Sequence, residues 1–293
     1  MAAQATAGQH SFAFEGIGTR WEVSTPAVLP AALRTRLRDR VEAFDGDWSR
    51  FRRGSLVAAM ARAPGSYRFP AEAEVLGGLY RRLYELSGGA MTPLIGGSLE
   101  QLGYDPDYSL QPRGSATPAP AWDDVLKWSG RSITTQSPVV LDIGAAGKGM
   151  LVDLLAAELE AAGMESCCID ASGDLMVRGP EPLAVGLEHP YNPAQAIGVV
   201  SVRNQALCAS AANRRAWGDG LHHVLDGTTG RPVRTAVATW ALADTTVLAD
   251  ALATALFFMP GSALEKDFDF SWLTVFSDGS AAYSPGFAGT LFT

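Results

Sequence analysis

The sequence predicts an α+β fold, with strands in meandering antiparallel runs and helices set between the runs. Three observations carry this. Strand-like segments follow one another from residue 166 to residue 209 with no helical pattern between them, whereas a parallel sheet needs a helical crossover after each strand. Two helical patterns, one after the glycine turn of the 141–164 stretch and one over residues 244–259, each follow a strand. No repeat of solenoid period appears.

Taken in order, residues 11–25 alternate aromatic or aliphatic with small or polar side chains and read as a strand or hairpin arm. Over residues 26–44, Leu29, Leu33, Leu37 and Val41 recur every four residues, an amphipathic helix. Residues 70–86 form another, with Pro70 near its first turn and Gly88 and Gly89 as its stop. The Pro/Gly/Ser-rich residues 103–123 read as a long surface connection, and as the junction between two lobes of a single domain, 1–293. After a strand at 139–142 comes a glycine turn. The following helix carries a stripe of Leu151, Leu154, Leu155, Leu159 and Ala162 and stops at Gly163. Strands are expected at 166–170, 175–178, 183–187, 196–202, 206–209 and 237–242, the last feeding the 244–259 helix. Short strands at 272–276, 281–284 and 289–292 close the chain.

At 293 residues the chain can bury a large core, and 47% hydrophobic with 18% charged residues is ordinary globular composition. A formal net charge of −8 argues against a general binder of nucleic acid or anionic membrane. Arginines gather at Arg50, Arg52 and Arg53 and at Arg214 and Arg215, which read as solvated faces or, less often, phosphate contacts. Three cysteines make no disulfide framework, and Cys167 and Cys168 read as small hydrophobes on a buried strand. Residues 1–16 lack a basic region followed by an apolar run, so no signal peptide and a cytoplasmic location are expected. No segment is long and apolar enough to be a transmembrane helix.

Two stretches read as halves of one site for a metal-bound diphosphate. In the 244–259 pattern, Asp250 and Thr254 share a helix face. Leu248, Leu252, Ala255, Leu256 and Met259 lie opposite, as a core anchor. A carboxylate beside a hydroxyl suits Mg²⁺; an Asp favoured by the helix dipole and a Thr bonded back to a carbonyl are the bland alternative. The segment LDIGAAGKG, from residue 141, puts glycines and Lys148 where a helix opens, a place that attracts phosphate. It is no Walker A loop, having Asp142 and Gly149 where glycine and a hydroxyl are needed, and no dinucleotide fingerprint, having Ala146 at the second glycine. On residues alone a closely packed turn serves equally well. Of four histidines, the adjacent His222 and His223 would face opposite ways on a strand, so at most one enters a site. Neither a G-x-S-x-G elbow nor an H-E-x-x-H or cysteine–histidine zinc pattern is present.

LDIGAAGKG resembles the D-[IL]-G-G-I-A-K-G signature of the ApbE-like flavin transferases (FAD:protein FMN transferases). ADALAT at 249–254 resembles that family's [AD]-A-D-A-L-[AS]-T helix, and HVLDGTTGRPV at 223–233 its H-I-I-D-P-x-T-G-x-P-V. GIGT (16–19), GGAMTPLIGG (88–97) and IDASGDL (169–175) are similar to M-G-T, G-A-F-D-P-T-V-G-P-L and V-N-A-G-G-D, in the family's order over nearly the whole chain. The resemblance implies a mixed fold of two lobes, largely antiparallel sheet with packed helices, and an FAD cleft between them. It implies FAD contacts from Lys148, Asp174, Gly144, Gly149 and Thr229, and Mg²⁺ held by Asp250, Thr254 and the backbone carbonyl of Gly147. Asp174 would hold the nucleotide or merely cap a turn, with Ser172 replacing the family's first glycine. Gly227 replaces a proline and should loosen its turn.

The implied reaction moves FMN from FAD to a Ser or Thr hydroxyl of an acceptor flavoprotein carrying a flavinylation motif like D-G-x-[ST]-G-A-[ST]. AMP is released, Mg²⁺ neutralises the diphosphate and His223 takes the hydroxyl proton. Two rivals share the site: an FAD pyrophosphatase with water as nucleophile, and a non-catalytic FAD-binding protein. DGTTGRP departs from the acceptor motif at Arg231 and Pro232, so the chain is not expected to modify itself.

Overall fold

A computed structural model describes residues 10–292. The first nine residues, on which much of the signal-peptide expectation rests, lie outside them. The α+β expectation holds. An eight-stranded sheet, antiparallel throughout, runs in the spatial order His10–Gly16, Thr19–Thr25, Cys167–Asp170, Asp174–Arg178, Gln205–Ala211, Ala236–Ala243, Ser271–Phe276 and Ala281–Tyr283.

The central strands of this sheet are buried on both faces, and their two-residue period sorts their side chains between two cores. Leu175, Val177, Leu207, Trp240 and Leu242 enter one, with Val185, Leu187, Val200 and Val202 of a three-stranded sheet (Leu183–His189, Asn192–Val202, Gly289–Leu291). Their strand neighbours Met176, Ala206, Cys208, Ala241 and Ala243 enter the other, with Leu151, Leu155 and Leu159 of the Gly147–Ala161 helix. Alanines on that face let the helices lie close.

The Ala31–Trp48 helix starts later than the sequence predicts, after Pro30, and continues because Phe44 and Trp48 extend the stripe of Leu33, Leu37 and Val41. The next predicted helix runs Ala73–Leu86 and ends in two left-handed glycines, Gly88 (φ 61°) and Gly89 (φ 91°). The features that the sequence reading left out include a helix at Leu56–Arg62 and a three-stranded sheet of Gly65–Arg68, Ser132–Thr135 and Leu126–Ser129. Four-residue strands give too short a pattern to stand out. The 103–123 stretch has no helix or strand before Trp122, as expected. It folds back on the rest of the chain, with the Ala119 amide donating to Gly227 and the Ser98 hydroxyl to Thr117. No described helix is long and apolar enough to cross a membrane.

Candidate active site

The two stretches singled out in the sequence meet. The Gly147–Ala161 helix opens from the glycine turn and crosses the Thr246–Ala255 helix at Gly149. A Cβ on Gly149 would lie 2.3 Å from the Thr246 carbonyl oxygen, so only glycine permits this approach. The approach lets the Gly149 amide donate to Asp250 Oδ2 at 2.9 Å. Gly149 is therefore a packing residue that seats a carboxylate. It is not on the cavity wall, and the expected FAD contact is corrected. The Thr246–Ala255 helix is shorter than predicted and buried nearly all round, since it lies between the sheet and its partner helix. Its first amides, of Thr246 and Val247, are each capped at 2.8 Å by the Asp153 carboxylate of that partner.

A cavity of about 800 Å³ opens over this crossing. Gly144, Gly147, Lys148, Asp174, His223, Asp250 and Thr254 all line it. Asp174 and Asp250 are buried, at 1% and 5% exposure. Burial first, and then the neighbouring Asp174, push the Asp250 carboxyl well above the usual carboxylate range. Both Asp174 oxygens are buried without a hydrogen-bond donor, and the nearby cation is Lys148, with Nζ 3.3 Å from Oδ2. Lys148 Nζ also donates to the Ala171 carbonyl at 2.9 Å and reaches that of Ser172 at 3.5 Å. An ammonium has three N–H groups; this one bonds two turn carbonyls and stands in ion-pair range of Asp174. Lys148 thus braces the helix against the 171–174 turn while also lining the cavity. That turn holds Ser172 left-handed at φ 54° and Gly173 at φ 124°; the serine in the glycine position is accommodated by its hydroxyl bonding to the Arg20 carbonyl at 2.8 Å.

Thr254 Oγ1 lies 3.2 Å from Ser210 Oγ, also on the cavity wall. Two carboxylates, two hydroxyls and turn carbonyls are a hard oxygen set of the kind Mg²⁺ takes. No group of three His, Cys, Asp or Glu side chains able to hold a metal occurs among the described residues, so neutral oxygens and substrate would have to complete the shell. Gly147 begins its helix, whose ladder claims the carbonyl of a first residue.

His222 and His223 divide as expected. His222 Nε2 faces the Val233 carbonyl at 2.9 Å, and its Nδ1 accepts the Val224 amide at 3.3 Å, which fixes one tautomer and a structural role. His223 lines the cavity with Nδ1 buried and without a hydrogen-bond partner. Burial, then the Arg215 cation and His222, lower its pKa to about 3, so the imidazole is neutral at pH 7.

Thr229 is not brought to the site. It is exposed in the turn between the Leu225–Asp226 and Arg231–Pro232 strands, its hydroxyl accepting the Arg231 amide at 3.2 Å and donating to the Asp226 carbonyl at 3.5 Å. Gly227, expected to loosen this turn, tightens it. Its amide donates to the Ala90 carbonyl at 2.8 Å, which a proline could not do, and a Cβ would stand 2.6 Å from the Gly89 oxygen. Of the arginine cluster read as a solvated face, Arg53 is 94% exposed in its side chain whereas Arg50 is 2% exposed. Arg50 Nε donates to Asp142 Oδ2 at 2.7 Å, while Asp142 Oδ1 accepts the Gly144 amide at 2.7 Å. Burial works against an ionised Asp142, but Arg50 outweighs it and holds the carboxyl below its usual range. Residues 91–110 also contribute Thr92, from the GGAMTPLIGG segment, and Tyr104 and Tyr108, which no residue pattern marks.

A sequence model of the ApbE family matches residues 17–267. The chain is 33% identical over 264 residues to the FAD:protein FMN transferase of Rhodobacter capsulatus, covering 83% of this chain and 50% of that protein. It is 29% identical to that of Treponema pallidum (strain Nichols), covering 70% of this chain and 65% of the relative. The chain thus spans half the length of the first and about two thirds of the second. Among solved structures, the ApbE protein of Thermotoga maritima superimposes with a TM-score of 0.81 at 22% identity, over 94% of this chain and 97% of that one. The flavin transferase ApbE of Vibrio cholerae does so with a TM-score of 0.78 at 19% identity, over 94% and 96%, a likeness of fold.

Proposed function

Because the chain belongs to the ApbE family and its relatives are named FAD:protein FMN transferases, we propose that it transfers FMN from FAD to an acceptor protein, the acceptor group being a Ser or Thr hydroxyl of a flavoprotein and AMP the product released. The observation that carries this reading is one cavity lined by a buried carboxylate pair at one place and a neutral histidine at another.

The proton of the acceptor hydroxyl passes to His223, which lines the cavity with a neutral ring and an unpartnered Nδ1. The hydroxyl oxygen bonds to the FMN phosphorus as the bond to the AMP oxygen breaks. Asp250 and Thr254, with Asp174 beside them, would hold Mg²⁺, joined by a carbonyl of the turn around Gly147. Bound there, the metal would supply charge neutralisation for the diphosphate and the leaving oxygen. Gly144 and Gly147 line the cavity where the Gly147–Ala161 helix opens, the end of a helix that favours phosphate.

The test is mass spectrometry of an acceptor carrying a Ser/Thr flavinylation motif, incubated with FAD, Mg²⁺ and the protein. A covalent FMN adduct on the hydroxyl supports the reading. Free FMN and AMP without an adduct would make the protein a pyrophosphatase, and unchanged FAD a binding protein. EDTA and Asp250→Ala should each abolish turnover; full activity in either would remove the metal from the reading.

A further inference from the structure

Arg50 carries an unfilled binding capacity. Its guanidinium is anchored at one edge, Nε to Asp142 Oδ2 at 2.7 Å, and lies over the rings of Phe51 at 4.1 Å and Tyr104 at 5.0 Å. The other edge, Nη1 and Nη2, is buried, and neither nitrogen has a hydrogen-bond acceptor among the described residues. Glu100 Oε1 stands 3.7 Å from Nη1, near enough for ion pairing but beyond hydrogen-bond range. Arg50, Phe51 and Tyr104 all line the cavity. Buried donors are almost always satisfied, and Arg, locked in plane by Asp142, presents a fork suited to paired or adjacent oxygens.

We propose that Arg50 is a substrate-binding residue whose Nη1 and Nη2 donate to an oxygen acceptor of the dinucleotide. This rests on FAD being the substrate. The acceptor is either a ring carbonyl of the flavin half or a phosphate oxygen of the adenylate half; the chemistry of the contact is the same. Because Asp142 also holds the Gly144 amide, the fork and the glycine turn form one rigid unit. Occupying the fork therefore fixes the turn against which the diphosphate lies.

The experiment titrates FAD, FMN and ADP separately, each with Mg²⁺, into wild type, Arg50→Lys and Asp142→Asn, with melting temperatures measured alongside. Lysine keeps a cation beside Asp142 but lacks the fork. The expected result is a roughly tenfold weaker FAD affinity in Arg50→Lys at near-native melting temperature. The loss should appear with FMN or with ADP but not both, which identifies the half contacted, and should be smaller in Asp142→Asn. Unchanged FAD affinity in Arg50→Lys, or equal losses for both halves reproduced by Asp142→Asn, would overturn the proposal. If Arg50→Lys fails to fold, NMR of the wild-type arginine Nη–H groups decides: a new, slowly exchanging signal on adding FAD supports the contact, and no change overturns it. A wild type that binds none of the three ligands would instead sink the FAD reading itself.

Discussion

His222 and His223 are adjacent in sequence and opposite in consequence. His223→Ala removes the proposed proton acceptor and leaves the carboxylate floor intact. Transfer should slow by about two to four orders of magnitude, with FAD affinity by fluorescence quenching nearly unchanged. His222→Ala instead strips hydrogen bonds from Val224 and Val233 inside the fold. It should cost about 1–3 kcal/mol of stability in urea unfolding, while the surviving folded protein keeps most of its turnover. Equal loss of turnover in both folded variants would mean that His223 acts through structure. Gly149 makes the matching case for backbone. Gly149→Ala drives a methyl against the Thr246 carbonyl, and should destabilise by about 1–3 kcal/mol while weakening metal binding, since Asp250 loses its place. A variant as stable as wild type would show that the helices part without cost.

At the scale of elements, the Thr246–Ala255 helix that carries Asp250 and Thr254 depends on its neighbour for its first turn. Asp153, from the Gly147–Ala161 helix, caps it with both carboxylate oxygens. Asp153→Ala should therefore cost about 0.5–2 kcal/mol, read as a lower urea midpoint at unchanged slope. Asp153→Asn, which keeps one acceptor oxygen, should cost less. If Asn proved as harmful as Ala, packing of the side chain and not capping would be its contribution. The same element explains why the helix is shorter than its hydrophobic pattern. The cap fixes the start at Thr246, and the pattern beyond Ala255 continues in turns.

For the whole molecule, the lowered pKa of His223 makes stability depend on pH in a definite direction. Unfolded, the imidazole takes a proton near pH 6.5; folded, near 3. Between those values the unfolded state binds more protons, so this contribution is complete above about pH 6.5 and is lost as the pH falls toward 3. Asp250, whose carboxyl is raised, works in the opposite sense. The stability difference between wild type and His223→Gln isolates the histidine, and should shrink on acidification through that window. A difference that is flat or grows toward acid would show that His223 is not held neutral by the fold.

The sequence by itself determined the fold class, the two motif-bearing helices and the pairing of Asp250 with Thr254. These follow from hydrophobic periodicity and i,i+4 geometry, which need only neighbours along the chain. It also implied that only one of His222 and His223 enters a site, because side chains alternate on extended backbone, and the family resemblance selected His223. Only the tertiary structure decided what each motif residue touches. Lys148 braces against Asp174, Ala171 and Ser172, Gly149 serves helix packing, and Thr229 faces away, although all three sit inside motifs that point to FAD. Arg50 was the reverse: one of three arginines in a charged run, it is the one turned inward, and nothing local distinguishes it from Arg52 or Arg53. The physical reason is common to these cases. Burial and hydrogen-bond partners are set by contacts between residues about 20 to 150 positions apart, and a sequence pattern carries no information about which donor finds which acceptor across that distance.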